Sequence, residues 1–383
     1  MDGLIMDRPL LVKQLLWRAE RVFGDKRIIS RTDEGDDFSY TYAEYAVRVR
    51  KLAQALTALG VQPGDRVGTL AWNTHRHYEA YFGVPCMGAV LHTVNLRLFD
   101  EQIRYIIDHG GDRVLLLDPD QIPLVERLAP DLPGVQAYVV LADRVPETTL
   151  EPVYAYEQLL GEQDGQLEFP EFPETTASAM CYTSGTTGDP KGVLYSHRST
   201  IIHCYASSMP DALNISARDV ILPVVPMFHV NAWGLPYSVP LTGAKMVFPG
   251  PSLDGKSLYE LFESEKVTFS AGVPTVWLGL LNHVAQNNLS FSTFKRTVIG
   301  GSACPPAMMK TLRHKYGIEV VHAWGMTEMS PLGTCATLQS RHEALPEEGQ
   351  QAILEKQGHV IFGVDMKIVD DAGKELPWDG KTY

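Results

Sequence analysis

Two spacings of apolar residues alternate along this chain. Stretches such as TYAEYAVRVRKLAQALTALG carry apolar side chains every three or four positions, the period of one helix face. That stretch also has helix punctuation. Thr41 with Glu44 three positions on makes a capping box, and Gly60 closes the far end. Between the helical stretches lie short runs rich in β-branched residues: RVGTLAW, AVLHTV, RVLLLD and QAYVVLA. These read as strands, separated by helices near RHYEAYFGVPCMG, DEQIRYIIDHG and IPLVERLA. A polar stretch at 161–176, GEQDGQLEFPEFPETT, interrupts the rhythm and reads as a surface connection. The rhythm then resumes with DVILPVV, AKMVF, VTFSAG, RTVIGG and EVVHAW as strands. Helices alternating with strands predict an α/β fold: one large composite domain of two layered halves, about 1–170 and 171–340, with mostly parallel sheets. From residue 341 the period shortens to two around DDAG, a hairpin signal, which predicts a smaller β-rich subdomain over 341–383.

Composition narrows the class. Of 383 residues, 45% are hydrophobic and 21% charged, as in a soluble globular protein with ample core. Acidic residues number 46 against 33 basic, a net charge of -13, which argues against a nucleic-acid partner. Cys86, Cys181, Cys204, Cys304 and Cys335 are far apart, with no C-x-x-C pair, so reduced thiols and a cytoplasmic location are expected. Leu11, Leu15, Leu16 and Ala19 recur at helical spacing and predict an N-terminal surface helix rather than a secretion signal. Val220 to Ala244 has no Asp, Glu, Lys or Arg and is long enough to span a bilayer. Pro223, Pro226, Pro236 and Pro240 would break the helix that lipid demands, so it reads as buried strand, loop and helix. No transmembrane segment is expected; peripheral membrane contact is left open.

The densest chemistry is YTSGTTGDPKG, Tyr182 to Gly192. Gly185 and Gly188 let backbone N–H groups approach an anion closely. The hydroxyls of Thr183, Ser184, Thr186 and Thr187 can donate to phosphate oxygens or ligate a divalent ion, and Lys191 adds a point charge. In the common P-loop the lysine precedes a serine or threonine; here Lys191 precedes Gly192 and then a strand-like VLYSH. The segment closely resembles the AMP-binding signature of the adenylate-forming enzymes: acyl-CoA synthetases, firefly-type luciferases and peptide-synthetase adenylation domains.

Three later segments resemble that family in the same order. GGSACPP, with Gly301 and Ser302, is similar to its adenine-contacting loop. HAWGMTEMSP is similar to its Y-G-x-T-E segment. There Trp324 replaces tyrosine and keeps a ring for stacking on adenine, and His322 replaces a residue that is more often an amide. Ala323 and Gly325 flank that ring. The resemblance puts Thr327 on the α-phosphate and Glu328, with Thr183, on Mg2+, a hard cation that suits one carboxylate beside phosphate oxygens. PMFHVNAWGLPY resembles the acyl site, with His229 beside the acyl carboxylate, Val230 next to it, and Trp233 at the mouth of a fatty-acyl tunnel. Amino-acid-activating relatives carry an aspartate just after the phenylalanine, where His229 follows Phe228 here. A buried ammonium would lack its counter-charge, so a plain carboxylic acid is implied.

The resemblance runs from about Arg18 to Tyr383 and is strongest to medium- and long-chain fatty acyl-CoA synthetases. It implies ATP, Mg2+ and coenzyme A, with acyl-AMP made first and acyl-CoA second, and leaves a homodimer open. The family's ribose-binding aspartate and its C-terminal lid with a catalytic lysine have no counterpart in these 383 residues. On this reading the chain is the large N-terminal part of a synthetase that adenylates poorly alone. An aryl- or short-chain acyl-CoA ligase, or a non-catalytic nucleotide- or acyl-binding protein, are the alternatives.

Overall fold

The structure, a computed structural model, describes residues 3–32, 37–183 and 189–379. Its strands, in chain order, are β1 (Arg27–Arg31), β2 (Asp37–Thr41), β3 (Arg66–Leu70), β4 (Val90–Thr93), β5 (Asp112–Leu117), β6 (Ala137–Val140), β7 (Val153–Ala155) and β8 (Ala177–Tyr182). They continue as β9 (Gly192–Ser196), β10 (Val220–Pro223), β11 (Lys245–Phe248), β12 (Phe269–Gly272), β13 (Arg296–Ile299), β14 (Glu319–Gly325), β15 (Leu332–Cys335) and β16 (His359–Val360). A seven-stranded sheet runs β7-β6-β5-β3-β4-β8-β9 and a nine-stranded sheet runs β16-β15-β14-β13-β12-β10-β11-β1-β2. Every pairing is parallel except β8–β9, β1–β2, β14–β15 and β15–β16. The central strands are buried along most of their length, the burial that suits parallel sheets covered on both faces.

The strands of the two sheets are not taken from the chain in order. β1 and β2 form a hairpin whose β1 pairs in parallel with β11, Ile28 opposite Met246. β8 and β9, beyond the polar connection, complete the first sheet beside β4. The strand character of β1 and β2 was not signalled by the pattern. Both are short and flank the charged 32–37 segment, and their partner lies far along the chain.

The helix His75–Cys86 is buried at every position. It therefore brings polar side chains inside, and Glu79 among them is fully paired. The Glu79 carboxylate accepts from Arg48 Nε at 2.7 Å, Tyr156 Oη at 2.6 Å and Tyr40 Oη at 3.0 Å. The capping box forms as predicted. Thr41 Oγ1 accepts from Glu44 N–H at 3.3 Å, and Glu44 Oε2 accepts from Thr41 N–H at 2.7 Å. The N-terminal helix Lys13–Val22 docks through Leu15, Leu16 and Ala19. Val220 to Ala244 folds as β10, a turn and the helix Leu235–Thr242, and no described helix is long and apolar enough to cross a membrane.

The C-terminal end holds less strand than its alternation predicts. Described residues beyond 340 comprise the helix Glu347–Leu354, the two-residue β16 and one bridge, Val369 to Glu375, across the Asp370–Gly373 turn. The turn itself closes, with Asp370 N–H donating to Lys374 O at 3.0 Å. Phe362 and Trp378 are largely exposed, so extending the ladder over those positions would gain little packing.

Candidate active site

The C-terminal ends of parallel β12, β13 and β14 open onto one cavity of about 190 Å3. Ligands of open α/β sheets bind at this end of the strands, because the connecting loops leave a crevice there. His229, Val230, Trp233, Gly301, Ala323, Trp324, Gly325 and Thr327, all singled out by sequence, line it together. The remaining wall is mostly apolar, including Leu213, Leu235, Ala271, Val298 and Leu332.

The acyl-side wall is a turn of unusual backbone. Val230, Asn231, Ala232 and Trp233 all have φ between 44° and 57°, and Gly234 follows at 80°. Left-handed backbone costs about 1–2 kcal/mol per residue with a Cβ, least for Asn, so surrounding contacts must hold it. Several do. Asn73 Nδ2 donates to Pro223 O and Val225 O, each at 2.9 Å, and its Oδ1 accepts from Met227 N–H at 2.6 Å. Tyr81 Oη donates to Met227 O, and Tyr78 Oη to Pro236 O. Gly234 is required, since a Cβ there would lie 2.6 Å from the His203 ring. The Trp233 indole in turn faces the adenine-type loop, within 3.4 Å of where a Cβ on Gly300 would sit.

His229 stands at the mouth, solvent-reachable but crowded. Desolvation, with Arg97 nearby, lowers its pKa below the ordinary histidine value and favours the neutral ring. Arg97 also lies over the Phe228 ring at 5.9 Å.

On the opposite wall, Trp324 is 38% exposed, so one face of its indole is open to a planar ligand. Gly325 allows a close approach: a Cβ there would meet Pro331 O at 2.2 Å. Thr327 O accepts from Tyr195 Oη at 2.5 Å, which ties β9, the strand leaving the phosphate motif, to the Thr327–Met329 turn. Glu328 on that turn is exposed, a carboxylate open to solvent and to a cation.

Four other sequence-selected residues lie outside the cavity lining. His322 is buried behind it, its Nδ1–H donating to Glu355 O at 3.0 Å and its Nε2 accepting from Cys304 N–H at 3.2 Å. It therefore braces the Gly300–Cys304 loop rather than facing a base. Ser302 is exposed on that loop. Thr183 and Lys191 close the stem of the phosphate motif: Thr183 N–H donates to Lys191 O at 3.0 Å, and Lys191 N–H donates to Thr183 Oγ1 at 3.2 Å. Ser184, Gly185, Thr186, Thr187 and Gly188 lie outside the described residues.

The sequence reading missed Tyr195, Arg97, Met326 and His203. Met326 was visible as a neighbour of Thr327 and lines the cavity. The others act from separate elements, and no local pattern marks them.

Comparison with known proteins identifies the family. The family model described as "AMP-binding enzyme" matches residues 16–382. A 3-methylmercaptopropionyl-CoA ligase of Ruegeria lacuscaerulensis is 49% identical over 385 positions, covering 100% of this chain and 71% of the relative. A medium-chain-fatty-acid–CoA ligase of Ectopseudomonas oleovorans is 47% identical over 384 positions, covering 100% and 70%. Among solved structures, an anthranilate CoA ligase in complex with anthranoyl-AMP superposes with a TM-score of 0.84 at 22% identity, covering 97% of this chain and 68% of that one, a likeness of fold.

Proposed function

Because the chain belongs to the AMP-binding enzyme family, we propose that it activates an apolar carboxylic acid, with a medium- or long-chain fatty acid as the leading candidate, for transfer to coenzyme A. The carboxylate oxygen attacks the α-phosphorus of ATP, the bond to pyrophosphate breaks, and acyl-AMP forms. The coenzyme A sulfur then attacks the acyl carbonyl, AMP leaves, and the thiol proton passes to solvent. The observation that carries this reading is the cavity in which His229 and Trp233 meet the Gly300–Gly301 loop and Trp324 over an apolar wall. An acid and a planar nucleotide base could sit against opposite walls of the same space.

Within that scheme Trp324 stacks on adenine and Thr327 contacts the α-phosphate. His229, held neutral, can lie beside a carboxylate without trapping it as an ion pair. The exposed Glu328 carboxylate fits a hard divalent cation; Mg2+ bound there with Thr183 would spread the negative charge of the phosphates. The Tyr195 hydroxyl positions that turn through the Thr327 carbonyl.

A second reading, a short thioether acid, is favoured by the 49% identity to a 3-methylmercaptopropionyl-CoA ligase. ATP–pyrophosphate exchange measured with butanoate, 3-methylmercaptopropionate, octanoate, palmitate and benzoate tests both. Exchange peaking at octanoate or palmitate supports the first reading, a peak at the thioether acid the second, and a peak at butanoate or benzoate would favour a short-chain or aryl-CoA ligase. Exchange with none of them by a form that carries the family's C-terminal lid, while nucleotide still binds, would favour a non-catalytic binding protein.

A further inference from the structure

Asn231, in the middle of the left-handed turn, is tied to the strand that leads into the phosphate motif. Its Oδ1 lies 3.6 Å from Cys181 Sγ, and Sγ lies 3.2 Å from Thr93 Oγ1. Thr93, Cys181 and Asn231 are 2%, 2% and 5% exposed, so water does not compete for these contacts. Burial raises the thiol pKa and keeps the proton on sulfur. The donors then run one way: Thr93 O–H to Sγ, and Sγ–H to Asn231 Oδ1. Thr93 ends β4, and Cys181 is two residues before Thr183 on β8. Asn73, Tyr78 and Tyr81 hold the segments on either side, and the side chain of Asn231 fastens the turn itself to the first sheet through one weak thiol donor.

We propose that Thr93, Cys181 and Asn231 form a latch that holds the 230–234 turn left-handed, so that the turn has latched and unlatched states and the depth of the acid pocket follows the latch. The pocket clause rests on the acid-activating reading above; the latch itself does not. Trp233 belongs to the turn and moves with it. With the latch released, the unfavourable φ values at Val230, Ala232 and Trp233 drive the turn toward ordinary backbone, and the indole leaves the Gly300–Gly301 loop. The three residues are positioning residues, acting on substrate only through the turn.

Hydrogen exchange read by mass spectrometry on the full chain tests the latch without requiring activity. Thr93→Val, Cys181→Ala and Asn231→Gly should each raise exchange in a peptide spanning 229–235 by about tenfold, with peptides from β13 and the His75–Cys86 helix unchanged. The double variant Cys181→Ala/Asn231→Gly should exchange no faster than the faster single, because both remove one interaction. Asn231→Gly separates the proposal from a plain backbone role. Glycine adopts the left-handed region with ease, so exchange at or below the parent level in that variant would overturn the latch. Unchanged exchange in both Thr93→Val and Cys181→Ala would overturn it as well. In activity assays the ratio of kcat/KM for palmitate over butanoate should shift at least about fivefold, the same way in all three variants and through KM. Faster exchange with an unmoved ratio would overturn the link to pocket depth. A parent protein active on no acid even when it carries the family's C-terminal lid would count against the acid-activating reading and leave the exchange result standing.

Discussion

Glu79 and Glu328 are the same side chain in opposite circumstances. Glu79 is fully buried in the His75–Cys86 helix, and Arg48, Tyr40 and Tyr156 all donate to it. Burial pushes its carboxyl above the ordinary range against the pull of Arg48. Arg48 goes on to a bidentate pair with Glu157, which Arg76 also holds. Glu328 lies exposed on a short turn beside the cavity. A buried, fully paired carboxylate has no capacity left for a ligand; its role is to hold the fold. An open carboxylate beside a cavity adds little to stability and is free to meet a cation. The same contrast separates the interior, where polar groups are consumed by one another, from the site mouth, where they are left available.

Acidification should strain that contrast most, because it attacks the interior. Burial lowers the pKa of His77, His197 and His203 to about 4 each. Each takes up a proton more readily when unfolded, so stability is full above the unfolded value of ~6.5 and falls as pH drops toward about 4. The slope is about 1.4 kcal/mol per pH unit for each histidine. Urea midpoints at pH 7.5 and 5.0 measure it, and equal midpoints would mean that these rings are not held neutral. Next, Glu79→Ala leaves Arg48 with one buried partner fewer and should cost about 3–5 kcal/mol in denaturant unfolding. A cost below about 1 kcal/mol would place Glu79 with the exposed carboxylates.

The mirror-image experiment is Glu328→Ala. It should lower ATP–pyrophosphate exchange by about 10²-fold or more while the urea midpoint stays put. A parallel loss of stability would erase the distinction between the two glutamates. Trp324→Ala should weaken nucleotide binding by about 10–100-fold in calorimetry, as loss of one base–aromatic stack does, and Trp324→Phe should restore most of it. The smallest effect belongs to the helix cap. Thr41→Ala should cost about 1 kcal/mol of stability and leave exchange activity unaffected.

What the sequence disclosed follows from the range of the interactions. The Thr41–Glu44 cap and the buried parallel strands depend on neighbours within a few residues, and the local pattern contains them. Eight cavity-lining residues were also legible, because each sits in a short contiguous motif. His322, chosen from the HAWGMTEMSP motif, is turned away from the cavity. Whether its ring faces the cavity or the Glu355 carbonyl is decided by a segment more than thirty residues away, a separation of 33. The left-handed turn was invisible for the same reason: HVNAW carries no glycine before Gly234, and the contacts that impose its backbone come from Asn73, Tyr81 and Cys181. The C-terminal alternation promised a ladder, and the exposed Phe362 and Trp378 fit the finding that the described residues there form one bridge and a two-residue strand.

The pairing of Ile28 with Met246 has a consequence for how the protein is made. A ribosome adding about 5–20 residues per second needs roughly 10–40 s to go from the first residue of that pair to the second. Throughout that interval the β1–β2 hairpin exists without the neighbour that completes its sheet, one edge unpaired and its apolar face without the rest of its layer. A two-stranded hairpin is marginal in water, and an open edge invites pairing with other chains. The nascent chain's first strands are therefore its most chaperone-dependent, and a synthesis that pauses before β11 should yield aggregates seeded from residues 27–41.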